Sequence, residues 1–388
     1  MRILHVMRSA DPIGGGVAEA VTRVGLEQVR TGQNVRVATL DDPDAPWLPR
    51  FPLPIDALGP VSTNYGYTSR LRPWLDHHLH LFDVVCVHGL WQYPGFAVWR
   101  ATRKGKTPYL VFPHGMLDPW FKRRYPLKHA KKWLYWPWAE SLVLRDAAAV
   151  LFTAEDERLL ARQSFWLYRC REKVVTLGTA APPQASSVDR RLFSQSYPET
   201  EGRRLVLFLG RIHEKKGCDL LVRAFASATE ALPANEPWHL VLAGPVATDG
   251  YRRLLDGLIR KVGLADRVTW TGMVDGDLKW SAFRSADVFV LPSHQENFGV
   301  AVAEALACGV PVLVSDKVNI WREVLADAAG CVETDTLAGT ERLLARWMFL
   351  DEDARSHMRI NAARCFARRF DIRDAAARLT STIEDVLP

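Results

Sequence analysis

Short apolar runs and longer amphipathic stretches alternate along most of the chain. The apolar runs lie at residues 2–7, 34–40, 82–89, 108–115, 205–210, 238–245, 287–293 and 311–315. Helical periodicity follows the first run, since Val17, Val21 and Val24 share one face of a helix. Strands that alternate with helices in this way are typical of doubly wound parallel sheets. A chain of 388 residues is long enough for two such domains, so we predict an α/β fold.

The clearest unit is the stretch 287–316, where a strand, a polar turn, a small-residue helix and a second strand follow one another. Glu296, Asn297 and Gly299 lie in the turn, and Glu304 lies on the helix. Free N–H groups at a helix start can hold a phosphate or a hydroxyl, and a carboxylate suits vicinal sugar hydroxyls. Either glutamate alone would be interpreted as a solvated residue. The apolar residues beside Glu304 argue against that interpretation.

Residues 296–312 read ENFGVAVAEALACGVPV, which resembles the two-glutamate signature of the retaining glycosyltransferases of family 4, the group 1 glycosyltransferases. The resemblance implies the GT-B architecture, in which two Rossmann-like domains face each other across a cleft. It also implies that Glu296 is a catalytic-site residue that holds the transferred sugar of a nucleotide-sugar, and that Glu304 binds the ribose. Asn297, Phe298 and Gly299 would then bind the sugar and phosphate.

Two cations follow the apolar run at 205–210. Arg211 and Lys216 lie on a loop that leads into a predicted helix. Such a pair is often a solvated basic loop, but a guanidinium and an ammonium can also converge on one pyrophosphate and stabilise a leaving nucleoside diphosphate. The string FLGRIHEKKG resembles the donor-phosphate motif of the family, which implies donor-binding and catalytic roles for both residues. In the same resemblance Met273 lies beside the nucleobase.

A glycine loop connects the first strand to the first helix. Gly14, Gly15 and Gly16 open that helix, but neither a P-loop lysine nor a G-x-G-x-x-G pattern accompanies them. The three glycines are consistent with a tight turn alone or with close approach to a phosphate. The resemblance favours the second interpretation, because a Gly-Gly-Val at this place faces the donor diphosphate and Gly15, Gly16 and Val17 match it.

Two histidines leave the carboxyl ends of predicted buried strands, where ligands of α/β sheets bind. These are His88 and His114. One such histidine would often be a structural residue, whereas two in equivalent positions indicate a site. The resemblance implies that His114 contacts the transferred sugar at the reaction centre. We expect His88, Trp91 and Tyr65 on the acceptor side.

Basic and aromatic residues are interleaved between Trp120 and Trp138. One interpretation is a surface that binds an anionic membrane through rings at the interface and cations at the headgroups. A second is an ordinary amphipathic helix whose aromatic residues enter the core. A third is a basic cleft for a diphosphate-linked lipid acceptor.

Composition narrows the function classes. The net charge of +6 is too small to indicate a nucleic-acid partner. Six scattered cysteines without a CxxC pair are typical of reduced thiols, and no apolar run is long enough for a membrane span. The start of the chain does not read as a signal peptide. We therefore expect a cytoplasmic protein, peripheral at the inner face of the membrane if the basic aromatic segment binds lipid, with no cofactor and no metal.

These observations predict an N-terminal acceptor-side domain at 1–180, a linker at 181–203, a nucleotide-sugar-binding domain at 204–370 and a C-terminal helix at 371–388 that packs back on the first domain. The resemblance implies a metal-independent, retaining glycosyltransferase of hexosyltransferase type. Its donor would be a nucleotide-sugar and its acceptor a glycan or lipid-linked glycan in exopolysaccharide or surface-glycan assembly. Two alternatives are a nucleotide-sugar epimerase of the same architecture and a non-catalytic nucleotide-sugar or glycan-binding protein.

Overall fold

The computed structural model describes residues 1–12, 16–103, 105, 107–183, 187–233 and 237–387. The chain divides into two compact units. The first unit comprises Met1–Thr179 together with Ile372–Pro388, and the second comprises Ala180–Asp371. Each unit has its own parallel sheet, as the alternation of apolar runs and helices predicts.

A seven-stranded sheet forms the centre of the first unit, in the order β3-β2-β1-β4-β5-β6-β7, and its neighbouring strands are parallel. Its strands are β1 (Arg2–Val6), β2 (Asn34–Thr39), β3 (Ile55–Ala57), β4 (Val84–His88), β5 (Tyr109–Phe112), β6 (Ala149–Phe152) and β7 (Glu172–Val174). Alternate strand residues enter two apolar clusters, with Leu4 and Val85 in one and Ile3 and Val84 in the other. The sheet is therefore covered on both faces, which explains why its strands read as continuous apolar runs.

Helices cover both faces of this sheet. They are α1 (Gly16–Arg30), α2 (Leu71–His78), α3 (Tyr93–Thr102), α4 (Trp120–Arg124), α5 (Pro126–Tyr135), α6 (Glu140–Asp146) and α7 (Glu155–Ala161). The final helix of the chain, α16 (Ile372–Glu384), also belongs to the first unit and packs against α1. Leu379 and Ile383 of α16 join the apolar cluster that contains Val21 and Val24 of α1. Burial of this apolar stripe stabilises the packing of α16 against the first unit.

A six-stranded parallel sheet forms the centre of the second unit, in the order β10-β9-β8-β11-β12-β13. Its strands are β8 (Arg204–Leu209), β9 (Trp238–Ala243), β10 (Val268–Gly272), β11 (Val288–Leu291), β12 (Val312–Ser315) and β13 (Gly330–Glu333). The helices are α8 (Ser187–Ser196), α9 (Cys218–Glu230), α10 (Asp249–Lys261), α11 (Gly276–Ser285), α12 (Val300–Ala307), α13 (Trp321–Ala326), α14 (Leu337–Met348) and α15 (Glu352–Arg369).

The segment 181–203 differs from the linker that its polar composition predicts. It contains α8, and the ring of Phe193 is 1% exposed. The backbone N–H of Phe193 donates to Oγ of Ser281 on α11 at 2.9 Å, and α8 packs along α11. One buried aromatic residue is enough to fold much of this stretch onto the second unit.

In the described part of the chain, no helix combines the length and the apolar character needed to cross a bilayer. All six cysteines are free thiols.

Candidate functional site

The second sheet reverses its strand order between β8 and β11. Strands β9 and β10 extend the sheet on one side of this pair, and β12 and β13 extend it on the other. In open parallel sheets ligands bind at such a switch point, beyond the carboxyl ends of the strands. Arg211 and Lys216 follow β8, and Glu296 follows β11, so three residues identified from the sequence leave the two strands that flank the reversal.

The loops after β8 and β11 are bonded to each other. The carbonyl of Lys215 accepts from the backbone N–H of His294 at 2.8 Å and from Oγ of Ser293 at 3.0 Å. Nζ of Lys215 donates to Oε1 of Gln295 at 2.8 Å. Gly217 closes the first loop with φ of 69°, and a Cβ there would lie 2.3 Å from the carbonyl oxygen of Pro292. Only glycine therefore allows this close approach.

Lys216 and Glu296 form an ion pair across the two loops. Each side chain is 17% exposed, so the pair is sheltered but reachable. Burial lowers the pKa of Lys216, and the charges of Lys215 and Arg211 act in the same sense. The Glu296 carboxylate opposes this effect because an adjacent anion favours the ammonium form. Lys216 lies beside an exposed guanidinium, that of Arg211, and the two side chains can share one diphosphate, whose negative charge favours the ammonium form of Lys216.

The turn from Glu296 to Gly299 is fixed through its backbone. The N–H of Glu296 donates to the carbonyl of Lys317 at 2.9 Å, and its own carbonyl accepts from the N–H of Asn319 at 3.1 Å. Gly299 precedes α12 with φ of 77°, and the ring of Phe298 is buried. Phe298 therefore anchors the turn, whereas the helix start after Gly299 offers N–H groups to an anion.

Glu304 lies on α12 with its carboxylate almost fully buried. Its Oε1 accepts from Nζ of Lys279 at 3.0 Å. Lys279 on α11 is a residue that the sequence interpretation missed, because nothing in its local pattern indicates that it meets Glu304. A buried carboxylate that accepts from a lysine can also accept hydrogen bonds from the hydroxyls of a ribose.

Met273 directly follows β10, the edge strand of the second sheet, and is 67% exposed. The β10 loop is joined to the β9 loop, since the N–H of Gly244 donates to the carbonyl of Gly272 at 2.7 Å. Two strand spacings of about 4.8 Å separate β10 from β8. The exposed side chain of Met273 is therefore accessible to a nucleobase. Because β9 lies between β10 and β8, Met273 is not adjacent to the ion pair of Lys216 and Glu296.

In the first unit the predicted glycine loop is only partly visible. Gly14 and Gly15 lie outside the described residues. Gly16 begins α1, is exposed, and has no atom within 4 Å of where a Cβ would stand. The start of α1 is therefore open to a ligand on the side of Gly16.

Three histidines form a hydrogen-bonded row, one within β1, one at the end of β4 and one after β5. Nδ1 of His5 and Nε2 of His88 are 2.9 Å apart, and Nδ1 of His88 and Nε2 of His114 are 3.0 Å apart. His5 and His88 are buried, whereas His114 is half-buried. Burial lowers the pKa of both His5 and His114 to about 4, and that of His88 falls well below its ordinary value. All three rings are therefore neutral near pH 7.

The structure places His88 differently from the acceptor-side position that the sequence suggested. Both ring nitrogens are engaged by His5 and His114, so His88 has none left for an acceptor. His114 instead forms the end of the row and has a left-handed backbone, with φ of 50°. Such strain in a non-glycine residue is typical of functional sites. Glu157, also missed by the sequence analysis, supports the turn by accepting from the N–H of Gly115 at 2.6 Å.

Trp91 and Tyr65 are half-buried, as an acceptor contact would require. Trp91 also has a left-handed backbone, with φ of 65°, and its N–H donates to the buried carboxylate of Glu140. The hydroxyls of Tyr65 and Tyr135 are 2.6 Å apart. Nζ of Lys132 lies 4.5 Å from the centre of the Trp91 ring. Tyr135 and Lys132 belong to α5, so the basic aromatic segment borders the predicted acceptor residues.

The basic aromatic segment between Trp120 and Trp138 has both a core-facing side and an exposed apolar side. Trp136 is fully buried and stacks on Phe165, as the amphipathic-helix interpretation predicts. A different stripe, made by Leu127, Leu134 and Trp138, is exposed by 82%, 77% and 57% respectively. The segment therefore has an apolar surface in addition to its core face.

Among the described residues, no group of three or more histidine, cysteine, aspartate or glutamate side chains is arranged to hold a metal ion.

Two family models match consecutive parts of the chain. The model described as Glycosyl transferases group 1 matches residues 189–364, and the model described as Glycosyl transferase 4-like domain matches residues 15–179. Together they span most of both units and include every donor-side residue discussed above.

Curated relatives match over shorter segments. A D-inositol 3-phosphate glycosyltransferase of Xylanimonas cellulosilytica is 34% identical over 208 residues, which is 53% of this chain and 48% of the relative. The lipopolysaccharide core biosynthesis mannosyltransferase LpsB of Rhizobium meliloti is 28% identical over 222 residues, which is 52% of this chain and 61% of the relative. The chain thus spans about half of the length of these curated relatives.

Solved structures match over the whole chain. The crystal structure of HepE from Anabaena in complex with UDP and glucose has a TM-score of 0.80 and covers 99% of this chain and 100% of its own, at 19% identity. This likeness shows the fold, two Rossmann-like domains of the GT-B class, and confirms the fold class expected from the sequence.

Proposed function

Because this chain belongs to the group 1 glycosyltransferases, we propose that it transfers a sugar from a nucleotide-sugar to the hydroxyl of an acceptor. The observation that carries this proposal is the ion pair of Lys216 and Glu296, beside the exposed Arg211, at the switch point of the second sheet. A binding module would not need cations directed at a leaving group, whereas a transferase gains rate from them.

The proposed reaction breaks the bond between the anomeric carbon and the leaving phosphate oxygen. A bond to the acceptor oxygen forms on the same face of the sugar, so the anomeric configuration is retained. The proton of the acceptor hydroxyl passes to the leaving phosphate, and the products are a glycoside and a nucleoside diphosphate. Arg211 and Lys216 stabilise the negative charge that grows on the diphosphate.

We extend the proposal to the remaining donor contacts, which the described geometry supports. Glu296 holds hydroxyls of the transferred sugar after the diphosphate has drawn Lys216 toward itself. Glu304 and the base-side Met273 take the nucleoside, and the helix start after Gly299 takes an oxygen of the sugar or phosphate. For Gly16 and His114, which belong to the first unit, the proposal retains the roles that the family resemblance implies, contact with a diphosphate and contact with a sugar. Two cationic side chains take the place of a divalent metal in this account.

For the acceptor we propose a glycan or lipid-linked glycan at the inner face of a membrane, as in surface-glycan assembly. The exposed stripe of Leu127, Leu134 and Trp138 supports this. Exposed basic residues stand beside it, among them Lys128 and Lys131. Apolar groups flanked by cations suit an anionic bilayer surface. The matched mannosyltransferase named for lipopolysaccharide core biosynthesis is consistent with this acceptor class.

The test is to incubate the purified chain with a panel of nucleotide-sugars, first with chelator and then with a divalent metal. Release of a nucleoside diphosphate from one donor, in the presence of chelator, is the expected result. Isomerisation of the donor without release would support an epimerase, and tight binding without release or isomerisation would support a binding protein. Nuclear magnetic resonance of the glycoside formed then reports whether the anomeric configuration is retained.

A further inference from the structure

We propose that Gln28 sets the tautomer of His114 through the row of three histidines, and so decides whether Nδ1 of His114 accepts or donates a hydrogen bond. The inference deepens the proposed function, on which it rests only for the role of His114. Gln28 lies on the buried face of α1 and is fully buried. It is a positioning residue, because it acts on His114 through His5 and His88.

The row has a defined order of atoms. Oε1 of Gln28 lies 3.2 Å from Nε2 of His5. Nδ1 of His5 then meets Nε2 of His88, and Nδ1 of His88 meets Nε2 of His114. Every ring nitrogen except Nδ1 of His114 thus has a partner within the row. In the described part of the chain, this last nitrogen has no hydrogen-bond partner.

The chemistry of neutral imidazole makes the three tautomers depend on one another. A neutral ring has one N–H donor and one acceptor nitrogen, and each bond between two rings needs one of each. When one ring is fixed, the next is fixed also. The row can therefore exist in only two consistent directions, which differ at every ring.

Gln28 selects one of these directions. In the structure the carbonyl oxygen of Gln28, and not its NH2 group, faces His5. A carbonyl oxygen can only accept, so Nε2 of His5 carries the proton. Nδ1 of His5 then accepts from Nε2–H of His88, and Nδ1 of His88 accepts from Nε2–H of His114. His114 consequently presents Nδ1 as a bare lone pair.

The described side chains packed around the row are mostly apolar and do not bond its inner end, so Gln28 alone among them sets the direction of its hydrogen bonds. The ring of Phe112 stacks on His88 with centres 4.9 Å apart, and on His114 with centres 5.6 Å apart. The cavity beside the row is lined mostly by apolar side chains, including Val21, Val24 and Leu379. The only polar side chain bonded to the inner end of the row, among the described residues, is the amide of Gln28.

The direction matters for a sugar substrate. A bare Nδ1 accepts a hydrogen bond from a sugar hydroxyl, and leaves the lone pairs of that oxygen available to other donors. In the opposite direction Nδ1 would carry a proton and would need a lone pair of the hydroxyl instead. Burial keeps the rings neutral. His114 therefore accepts a hydrogen bond from the hydroxyl without adding a charge to the site.

The tautomer can be observed without any ligand. In the full chain carrying ¹⁵N-labelled histidine, spectra that correlate ring nitrogens with ring protons distinguish a protonated from an unprotonated nitrogen. The signals of His114 are assigned by their loss in His114→Gln. We expect an unprotonated Nδ1 and a protonated Nε2 at His114. A protonated Nδ1 in the unsubstituted chain would overturn the proposal.

Two substitutions test the role of Gln28. Gln28→Met removes the amide and keeps a similar side-chain volume. In the original direction Nε2–H of His5 would then be buried without an acceptor, which is less favourable than a buried lone pair without a donor. We therefore expect the row to reverse, with Nδ1 of His114 becoming protonated. Gln28→Glu retains an acceptor oxygen and should retain the original tautomer. Glu27→Gln is the matched control on α1, because Glu27 pairs with Arg30 at 2.7 Å and not with the row.

Kinetics separate this inference from the proposed function. With the donor found in the panel, Gln28→Met should lower kcat/KM roughly tenfold or more, the scale of one lost and one mismatched hydrogen bond. Binding of the free nucleoside diphosphate, which has no sugar, should not change. An unchanged tautomer in Gln28→Met would overturn the inference, even if activity falls. The expected tautomers in a chain that turns over no donor would leave the row intact and reject the proposed function.

Discussion

The ammonium of Lys216 contacts the carboxylate of Glu296 and thereby joins the loops that follow β8 and β11, the two strands at the switch point of the second sheet. The carboxylate favours the charged form of the lysine, whereas burial lowers the pKa of Lys216 to about 7. Before a donor binds, the two side chains balance each other. When a donor binds, its diphosphate can replace Glu296 as the partner of Lys216, and its sugar hydroxyls can replace Lys216 as the partner of Glu296.

Replacing Glu296 by glutamine should make nucleoside diphosphate binding more sensitive to pH. Without the carboxylate, burial acts on Lys216 unopposed, and its pKa falls. The lysine then binds as a cation below that pKa and becomes neutral as the pH rises through it. We expect Glu296→Gln to lose affinity between about pH 6 and about pH 8.5 more steeply than the unsubstituted chain.

Calorimetric titration with nucleoside diphosphates at several pH values measures this difference. Glu201→Gln, which makes the same charge change at an exposed position of the second unit, is the control. Parallel pH profiles for Glu296→Gln and the unsubstituted chain would contradict the coupling of the two residues.

Gly217→Ala should destabilise the second unit and weaken donor binding together. The added Cβ would overlap the carbonyl oxygen of Pro292, and φ of 69° is unfavourable for alanine. A cost of about 1–3 kcal/mol in the free energy of unfolding is expected for a residue held in such a conformation. Denaturant unfolding measures this cost. Gly257→Ala on α10, where a Cβ meets nothing within 4 Å, should show no such loss.

Glu140→Gln should remove a pH dependence of stability. Burial raises the pKa of Glu140 to about 8, although the N–H of Trp91 and the charge of Lys132 oppose the shift. A carboxyl whose pKa is raised in the folded state binds more protons there than in the unfolded state. Its contribution to stability is therefore lost as the pH rises from about 4.5 to about 8.

Thermal unfolding at both ends of this range checks the sign. Glu140→Gln should exceed the unsubstituted chain in Tm at the higher pH by more than at the lower pH. The comparison is between two chains at each pH, so the titration of the buried histidines cancels. A difference in Tm that does not change with pH would show that Glu140 is ionised in the folded protein.

The exposed stripe on the basic aromatic segment predicts binding to anionic vesicles. Leu127 and Leu134 lie seven residues apart on α5 and face solvent. Leu127→Glu with Leu134→Glu should abolish co-flotation with vesicles that contain anionic lipid, and should leave donor hydrolysis unchanged. Leu254→Glu, at an exposed position of the second unit, is the control. Equal flotation of the unsubstituted chain and the double variant would reject this surface as a membrane contact.

Local sequence was sufficient to predict β8, β9, β11 and β12 of the second sheet and the residues that follow β8 and β11. Apolar runs mark buried strands whatever their partners, and the turn residues follow directly from them. Lys279 was not predictable, because it meets Glu304 from α11 and no short-range pattern connects the two. Phe193 was hidden for a different reason. It is a single buried aromatic residue in a polar stretch, so composition indicated a linker where α8 forms.

The histidine row shows the same limit within the first unit. His88 and His114 could be found because both end apolar strands. His5 lies inside β1 and Gln28 inside α1, where a polar residue in an apolar pattern is usually a satisfied core residue. Strand order places β1 beside β4, which brings the ring of His5 to that of His88, and that order is a property of the whole sheet.

The most direct test of the donor site is a calorimetric titration of the full chain with UDP, GDP and ADP, repeated on Arg211→Ala with Lys216→Ala. Lys261→Ala with Arg260→Ala, on the exposed end of α10, matches the change in charge. We expect one nucleotide to bind the unsubstituted chain and the α10 variant equally, and the switch-point variant about 100-fold more weakly or worse, as for loss of two charged contacts. Equal affinity for the switch-point variant would show that the diphosphate binds elsewhere and would contradict the account.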